Sequence, residues 1–286
     1  VNREIQLEPH LAGLRRQLRQ WRQAGEDIGL VPTMGNLHDG HLELVRQARE
    51  RCDRLVVSVF VNPLQFAAGE DFESYPRTLG ADQQALRGLG VDLLFAPGVE
   101  EVYPRGEADH TRVEVPGISA ILCGASRPGH FIGVATVVCK LLNMVQPDLA
   151  VFGEKDFQQL LVIRRMVEDL AMPVRILGVA TVREADGLAM SSRNGYLSSA
   201  ERRIAPRLYA SLRQAAGTLR GGAQDYPEVE RQGLEALRQA GFIPDYFVVR
   251  RSRDLAQPQA GERELVVLTA ATLGRARLID NLRVSG

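Results

Sequence analysis

Short apolar runs alternate with helically spaced apolar positions over the first two thirds of the chain. Residues 28–31 and 55–61 are two such runs. The second is nearly continuous and rich in β-branched side chains, the signature of a strand buried on both faces. Between them, Leu42, Val45 and Ala48 recur at helical spacing. Thr78 is placed to cap a helix whose face carries Leu79, Leu86 and Leu89, with Gly90 as its stop signal, and residues 91–96 form the next strand. Val134, Val137, Val138, Leu141, Leu142 and Val145 trace one face of an amphipathic helix, with Pro147 just past its end. A strand over 149–152, a helix carrying Phe157, Leu160, Leu161, Arg164 and Val167, and a strand over 174–182 follow. Regular alternation of strand and helix predicts an α/β fold, a Rossmann-like doubly wound parallel sheet with helices on both faces.

The order then changes. Ser198 and Glu201 form a capping box that opens a long helix towards Leu219. Gly221, Gly222 and Ala223 break it, and Pro227 sits in the first turn of a second helix running to Leu237. Residues 246–250, 264–269 and 277–280 read as strands. Two helices followed by three strands predict a smaller C-terminal α+β domain. The turn signal Asp186-Gly187 puts the boundary near Gly187, giving domains of residues 1–187 and 188–286.

Composition narrows the function. The 286 residues carry 35 basic and 35 acidic side chains, a formal net charge of zero. That argues against an extended nucleic-acid footprint, which needs excess Lys and Arg. Cys52, Cys123 and Cys139 show no C-x-x-C spacing and read as reduced thiols without chemistry. No internal repeat, charged-then-apolar leader or bilayer-length apolar run is evident, so no membrane partner is expected and the expected location is the cytoplasm.

Ligands of doubly wound sheets sit beyond the carboxyl ends of the strands. Pro32-Thr33-Met34-Gly35-Asn36-Leu37-His38-Asp39-Gly40-His41 follows the first strand and enters a helix. Gly35 and Gly40 let backbone approach a ligand, and the helix start offers N–H groups and a positive dipole end to a phosphate. His38 and His41, three apart, can both donate to phosphate oxygens, more strongly if protonated. A solvated turn or a metal pair has the same look, although no third metal ligand lies at close spacing. The segment is not a P-loop, and no G-x-G-x-x-G follows the strand, which disfavours a dinucleotide-dependent dehydrogenase.

Gly153-Glu154-Lys155-Asp156 follows another buried strand. Lys155 suits a phosphate whose charge grows in the transition state; Asp156 either holds a ribose hydroxyl or caps the next helix. Met190-Ser191-Ser192-Arg193-Asn194 has the hydroxyls and guanidinium of a phosphate-binding loop, and equally the composition of a polar linker. Together with the H-x-G-H turn it makes a two-part clamp for ATP phosphates, pointing to adenylyl transfer. Gln65 and Gln159 are amides able to hold a small hydroxy acid, or polar residues facing water. Arg127-Pro128-Gly129-His130 is an anion contact or a helix entry turn. Asp82 reads as a solvated carboxylate, with a Mg²⁺ ligand as the other reading. His10 and His110 read as surface residues without partners.

Six ordered segments carry a resemblance: 32–41, Val61-Asn62-Pro63-Leu64-Gln65-Phe66, Tyr75-Pro76-Arg77-Thr78, Arg127-Pro128-Gly129-His130-Phe131, Phe152-Gly153-Glu154-Lys155-Asp156-Phe157-Gln158-Gln159-Leu160, and Met190-Ser191-Ser192-Arg193-Asn194-Gly195-Tyr196-Leu197. In this order they resemble the motifs of the pantoate–β-alanine ligase family, H-x-G-H nucleotidylyl transferases related to class I aminoacyl-tRNA synthetases. The likeness covers residues 28–197, and Leu278-Ile279-Asp280-Asn281 also fits. It implies condensation of pantoate with β-alanine at the expense of ATP, with Mg²⁺, through an enzyme-bound pantoyl adenylate, giving pantothenate, AMP and pyrophosphate. It implies ATP contacts from Met34, Gly35, Asn36, Leu37, His38, Asp39, Gly40, His41, Gly153, Glu154, Lys155, Asp156, Val182, Met190, Ser191, Ser192 and Arg193. Gln65 would touch pantoate and β-alanine, and Gln159 pantoate. His41 is the family's proton donor, joined in catalysis by His38, Lys155 and Arg193, and family members are cytoplasmic homodimers. Asp82 matches an acidic position near the metal, but the preceding residue, often acidic in relatives, is Ala81 here, which leaves metal ligation open.

The smaller domain is expected to close over the site and shield the adenylate from water. Rival readings are an H-x-G-H enzyme passing AMP to a different small anionic acceptor such as a phosphate monoester, a tRNA synthetase fragment, and a noncatalytic nucleotide sensor.

Overall fold

The side chains of Leu30, Val31, Leu55, Val56, Val57, Ala150 and Val151 are fully shielded from solvent. Each such Leu or Val contributes about 1.5–3 kcal/mol by leaving water. In the computed structural model, which describes residues 5–67 and 69–285, they lie at the middle of a six-stranded sheet. In chain order the elements are β1 (Gln6–Glu8), α1 (Leu11–Gln23), β2 (Ile28–Thr33), α2 (Asp39–Arg49), β3 (Arg54–Val59), α3 (Leu79–Leu86), β4 (Leu93–Phe95), α4 (Val99–Val102), α5 (Cys123–Ser126), α6 (His130–Val145), β5 (Leu149–Gly153), α7 (Phe157–Asp169) and β6 (Arg175–Val179). The strand order is β1-β4-β3-β2-β5-β6, and every pair is parallel. From β2 the chain winds outward through β3 and β4 on one side, then through β5 and β6 on the other. The switch point therefore falls between β2 and β5, where the doubly wound rule places a ligand.

The sequence-based strands agree with this sheet to within a few residues. β1 and α1 lie ahead of the predicted elements, although Leu14, Leu18 and Trp21, all buried, stand at i, i+4 and i+7. The predicted stripe of α6 is buried, and burial extends beyond it to Gly133, Ala135, Thr136 and Met144, while Ile132, Cys139 and Lys140 are part-exposed and Asn143 is exposed. The helix ends on Gln146 in the left-handed conformation, whose N–H returns to Leu142 O, and Pro147 then prevents continuation. Thr78 precedes α3, but its hydroxyl makes no capping bond.

The chain divides into two compact units, one running through Glu154 with Val162–Ala180, the other comprising Lys155–Leu161 and the residues from Thr181 onward. The Asp186-Gly187 turn, near which the sequence places a domain boundary, lies in the second unit shortly after Thr181. There it tips a hairpin in which Arg183 bridges Ala189 and Met190 N–H bonds Val182 O at 3.0 Å.

The second unit continues with α8 (Ser199–Ile204), α9 (Arg207–Arg220), α10 (Tyr226–Gln239), and the antiparallel strands β7 (Ile243–Arg251), β8 (Glu264–Leu273) and β9 (Ala276–Ser285). The Ser198/Glu201 capping box forms as expected. The single long helix does not. Pro206 divides it into α8 and α9, because proline lacks an N–H and its ring crowds the carbonyl one turn back. Leu208, Leu212 and Leu219 of α9, with Val229 and Leu237 of α10, pack on Phe247, Val249, Val267 and Leu278 of the sheet. This is the α+β layer the sequence predicts.

Candidate active site

The chain leaves β2 at Thr33 and folds the next eight residues around their own polar groups. The Thr33 hydroxyl donates to Ser58 O at 2.8 Å and accepts from Gly35 N–H at 3.2 Å. Gly35 has φ +80°, and a Cβ there would lie 3.0 Å from Asp82 Oδ2. Asn36 follows at φ 51°. The Asp82 carboxylate then accepts from Asn36 N–H at 3.1 Å, Leu37 N–H at 2.8 Å and the Thr78 hydroxyl at 3.2 Å. Asp82 is only 2% exposed, so the solvated-carboxylate reading is overturned. It anchors the H-x-G-H turn, which explains why α3 turns this residue inward.

The two histidines cap α2 reciprocally. His38 is the N-cap, its Nδ1 accepting from Gly40 N–H at 3.1 Å. His41, three residues on, accepts the His38 N–H on its own Nδ1 at 3.3 Å. Their rings lie 4.0 Å apart, tilted by 37°. With both Nδ1 atoms accepting, the proton of each neutral ring sits on Nε2, which becomes a donor. The backbone N–H groups of Gly35, Asn36, Leu37, His38 and Gly40 have internal acceptors in this turn. A doubly protonated ring would forfeit the bond its Nδ1 accepts, so this capping geometry is that of neutral imidazoles.

Gln65 lies in a one-turn 3₁₀ helix, Pro63–Gln65, past β3. Its Oε1 accepts from Asn62 Nδ2 at 3.2 Å, and its Nε2 is 2.7 Å from Met34 Sδ. Its carbonyl accepts from Arg127 Nη2 at 3.2 Å and lies 2.8 Å from His130 Nδ1. Arg127 also pairs with Glu70 through bonds of 2.6 and 2.5 Å. Burial alone would raise the Glu70 carboxyl, but the guanidinium holds it below its ordinary range. The 127–130 segment is thus a helix entry, with Gly129 in the left-handed conformation ahead of α6, and a clamp on the Gln65 main chain. Gly133 completes that clamp: a Cβ there would fall 2.1 Å from Leu64 O.

Beyond β5, a 3₁₀ turn over Glu154–Asp156 carries Lys155. Its side chain is 19% exposed, with Nζ 3.9 Å from Asp156 Oδ2, and its carbonyl accepts from Asn281 Nδ2 at 2.9 Å. Asp156 directly precedes α7. Gln159 is partly exposed one turn into that helix. Ser191 spends its hydroxyl as the N-cap of the 3₁₀ turn Ser192–Tyr196, accepting Arg193 N–H at 3.2 Å. The neighbouring hairpin is locked by Arg183, which grips Asp280 through bonds of 2.6 and 2.9 Å and stacks 3.6 Å over the Tyr209 ring.

Sequence reasoning missed Asn62, Gly133, Arg183 and Asn281 as supports. All but Gly133 and Arg183 stand in segments quoted for the resemblance, which was the available signal. His110 corrects its reading. It is half-buried, its ring lies 5.2 Å from that of Tyr103, and its Nδ1 is shielded without a hydrogen-bond partner. His10 is exposed but pairs with Glu101 at 3.2 Å. Among the described residues no group of three or more His, Cys, Asp or Glu is arranged to hold a metal, and no helix is long and apolar enough to cross a membrane.

The family model for pantoate–β-alanine ligase matches residues 7–283. The pantothenate synthetase of Idiomarina loihiensis is 61% identical over 269 residues, covering 94% of this chain and 95% of its own length. That of Pseudomonas paraeruginosa is 59% identical over 271 residues, covering 95% and 96%. The crystal structure of pantothenate synthetase from Thermus thermophilus superposes with a TM-score of 0.92 at 50% identity, over 99% of this chain and 100% of that one. That of a pantoate–β-alanine ligase from Francisella tularensis, complexed with β-γ ATP and β-alanine, gives 0.79 at 34% identity over 97% of each.

Proposed function

The chain belongs to the pantoate–β-alanine ligase family, and from that premise we propose how its residues divide the work of joining pantoate to β-alanine at the expense of ATP. The observation that carries the reading is the match across 7–283 to a family whose Francisella member was crystallised with β-γ ATP and β-alanine. The capped histidine pair beyond β2, at the sheet's switch point, supports it.

The pantoate carboxylate is the first nucleophile. It is ionised at neutral pH, since carboxylic acids titrate near pH ~4, so alignment and charge neutralisation matter more than a general base. It attacks the α-phosphorus and pyrophosphate leaves. His38 and His41 donate through Nε2–H to the triphosphate, and Lys155 and Arg193 offset its repulsion of the incoming carboxylate. Met34, the residues of the turn after it, Gly153, Glu154, Asp156, Val182, Met190, Ser191 and Ser192 complete the ATP contacts. Gln65 and Gln159 hold pantoate without adding a charge. The β-alanine amine then attacks the acyl carbon of the adenylate, loses its proton, and AMP leaves as the amide forms.

Magnesium enters this scheme with the nucleotide. Asp82 already serves two backbone N–H groups and a hydroxyl, so the residues present do not make a protein cage for the ion. Mg²⁺ is held chiefly by substrate phosphates in many such sites, and MgATP is the substrate form proposed. Asp82→Ala strands the Asn36 and Leu37 N–H groups. Hydrogen bonds to a charged acceptor are worth about 1.5–3 kcal/mol each, so the KM for ATP should rise by about 10-fold or more. Raising magnesium should not restore it; recovery at high magnesium would make Asp82 an ion ligand.

The enzyme is proposed to act as a cytoplasmic homodimer, in keeping with the family pattern and with three cysteines that form no disulfide. The decisive assay is conversion of ATP to AMP by the purified chain. AMP and pantothenate should appear together and require both pantoate and β-alanine. AMP formation that ignores pantoate, or that a phosphate monoester supports instead, would overturn the assignment.

A further inference from the structure

We propose that Tyr103 is a positioning residue for pantoate, acting through Asn62 to fix which end of the Gln65 amide faces the substrate. The inference rests on the reading of Gln65 as a pantoate contact. Tyr103 follows α4 and is 1% exposed, as is Asn62. Its hydroxyl donates to Asn62 Oδ1 at 2.8 Å. The same oxygen accepts Leu64 N–H at 3.3 Å, while Asn62 Nδ2 donates to Gly133 O at 3.1 Å and to Gln65 Oε1 at 3.2 Å. The Asn62 amide therefore has its oxygen between donors and its nitrogen between acceptors, and only one orientation satisfies all four.

That orientation dictates the next. Because Asn62 donates to Gln65 Oε1, Gln65 turns its NH₂ group the other way, towards Met34 Sδ. A thioether is a weak acceptor. The amide thus presents N–H to a stronger acceptor, such as the carboxylate or hydroxyl oxygen of a hydroxy acid. Each donor in the series polarises the next. Burial holds the Tyr103 phenol far above its ordinary range, so it remains a donor throughout the pH range in which the ligase works. Of the two bonds to Asn62 Oδ1, the one from Tyr103 is the shorter, so its loss leaves the amide oxygen on a single long contact.

Tyr103→Phe removes that hydroxyl and keeps the ring, with its neighbours Phe60, His110 and Lys140. The KM for pantoate should rise about fivefold, the effect of one hydrogen bond, while kcat and the KM for ATP stay within about twofold. In a Gln65→Ala background, Tyr103→Phe should add no further change in pantoate KM, as coupling through one path requires. A merely structural role would act on all substrates and add to the Gln65→Ala effect; either result overturns the inference. So does an unchanged pantoate KM in Tyr103→Phe when Gln65→Ala raises it. If Gln65→Ala itself leaves pantoate KM unchanged, the assignment of Gln65 to pantoate falls first, a result distinct from failure of Tyr103 alone.

Discussion

Lys155→Ala lowers pantoate-dependent exchange of pyrophosphate into ATP by on the order of 10²-fold or more, the loss expected when a charge contact made in the transition state is removed. The ammonium is well placed to be spent this way. It is 3.9 Å from Asp156, beyond a direct hydrogen bond, so a triphosphate competes with no tight internal partner in that pair. Its main chain is tied by Asn281, which limits where the head group can swing. The effect should fall on kcat, because the charge that Lys155 meets grows as the α-phosphorus–oxygen bond breaks. Lys155→Arg should recover little, since a planar fork does not replace a compact point charge. Near-normal exchange in Lys155→Ala removes the residue from the adenylation step.

The second large effect concerns His41. His41→Ala should slow formation of the adenylate by about 10²-fold while leaving transfer from preformed pantoyl adenylate to β-alanine far less affected. The residue also caps α2 through its bond from His38 N–H, so stability must be separated from chemistry. Losing a cap costs about 0.5–2 kcal/mol, which shifts a melting curve without unfolding a chain of this size. Single-turnover measurement of the two half-reactions makes the distinction. Equal loss in both steps counts against a role at the triphosphate.

Much of this molecule was legible from apolar spacing. The runs at 28–31, 55–61 and 149–152 are the central strands Ile28–Thr33, Arg54–Val59 and Leu149–Gly153, because strands buried on both faces leave an uninterrupted hydrophobic record. A three-residue edge strand such as β1 leaves none. Pro206 breaks the helix that the Ser198/Glu201 capping box opens. In the site, the pairing of His38 with His41 followed from their spacing. What spacing cannot show is the use made of polar groups by residues far away in sequence. Asp82 takes its N–H donors 45 and 46 residues earlier, and Arg183 meets Asp280 across 97 residues. A carboxylate of that kind looks solvated until the fold brings its donors to it.

The bond from Asn281 to the Lys155 carbonyl spans 126 residues, and that distance has a kinetic meaning. Local helices form in microseconds, whereas a contact so remote along the chain waits on loop closure and on assembly of the strand that carries it. During refolding from denaturant, far-ultraviolet dichroism should therefore recover ahead of catalytic competence, the anchored lysine being among the last features to mature.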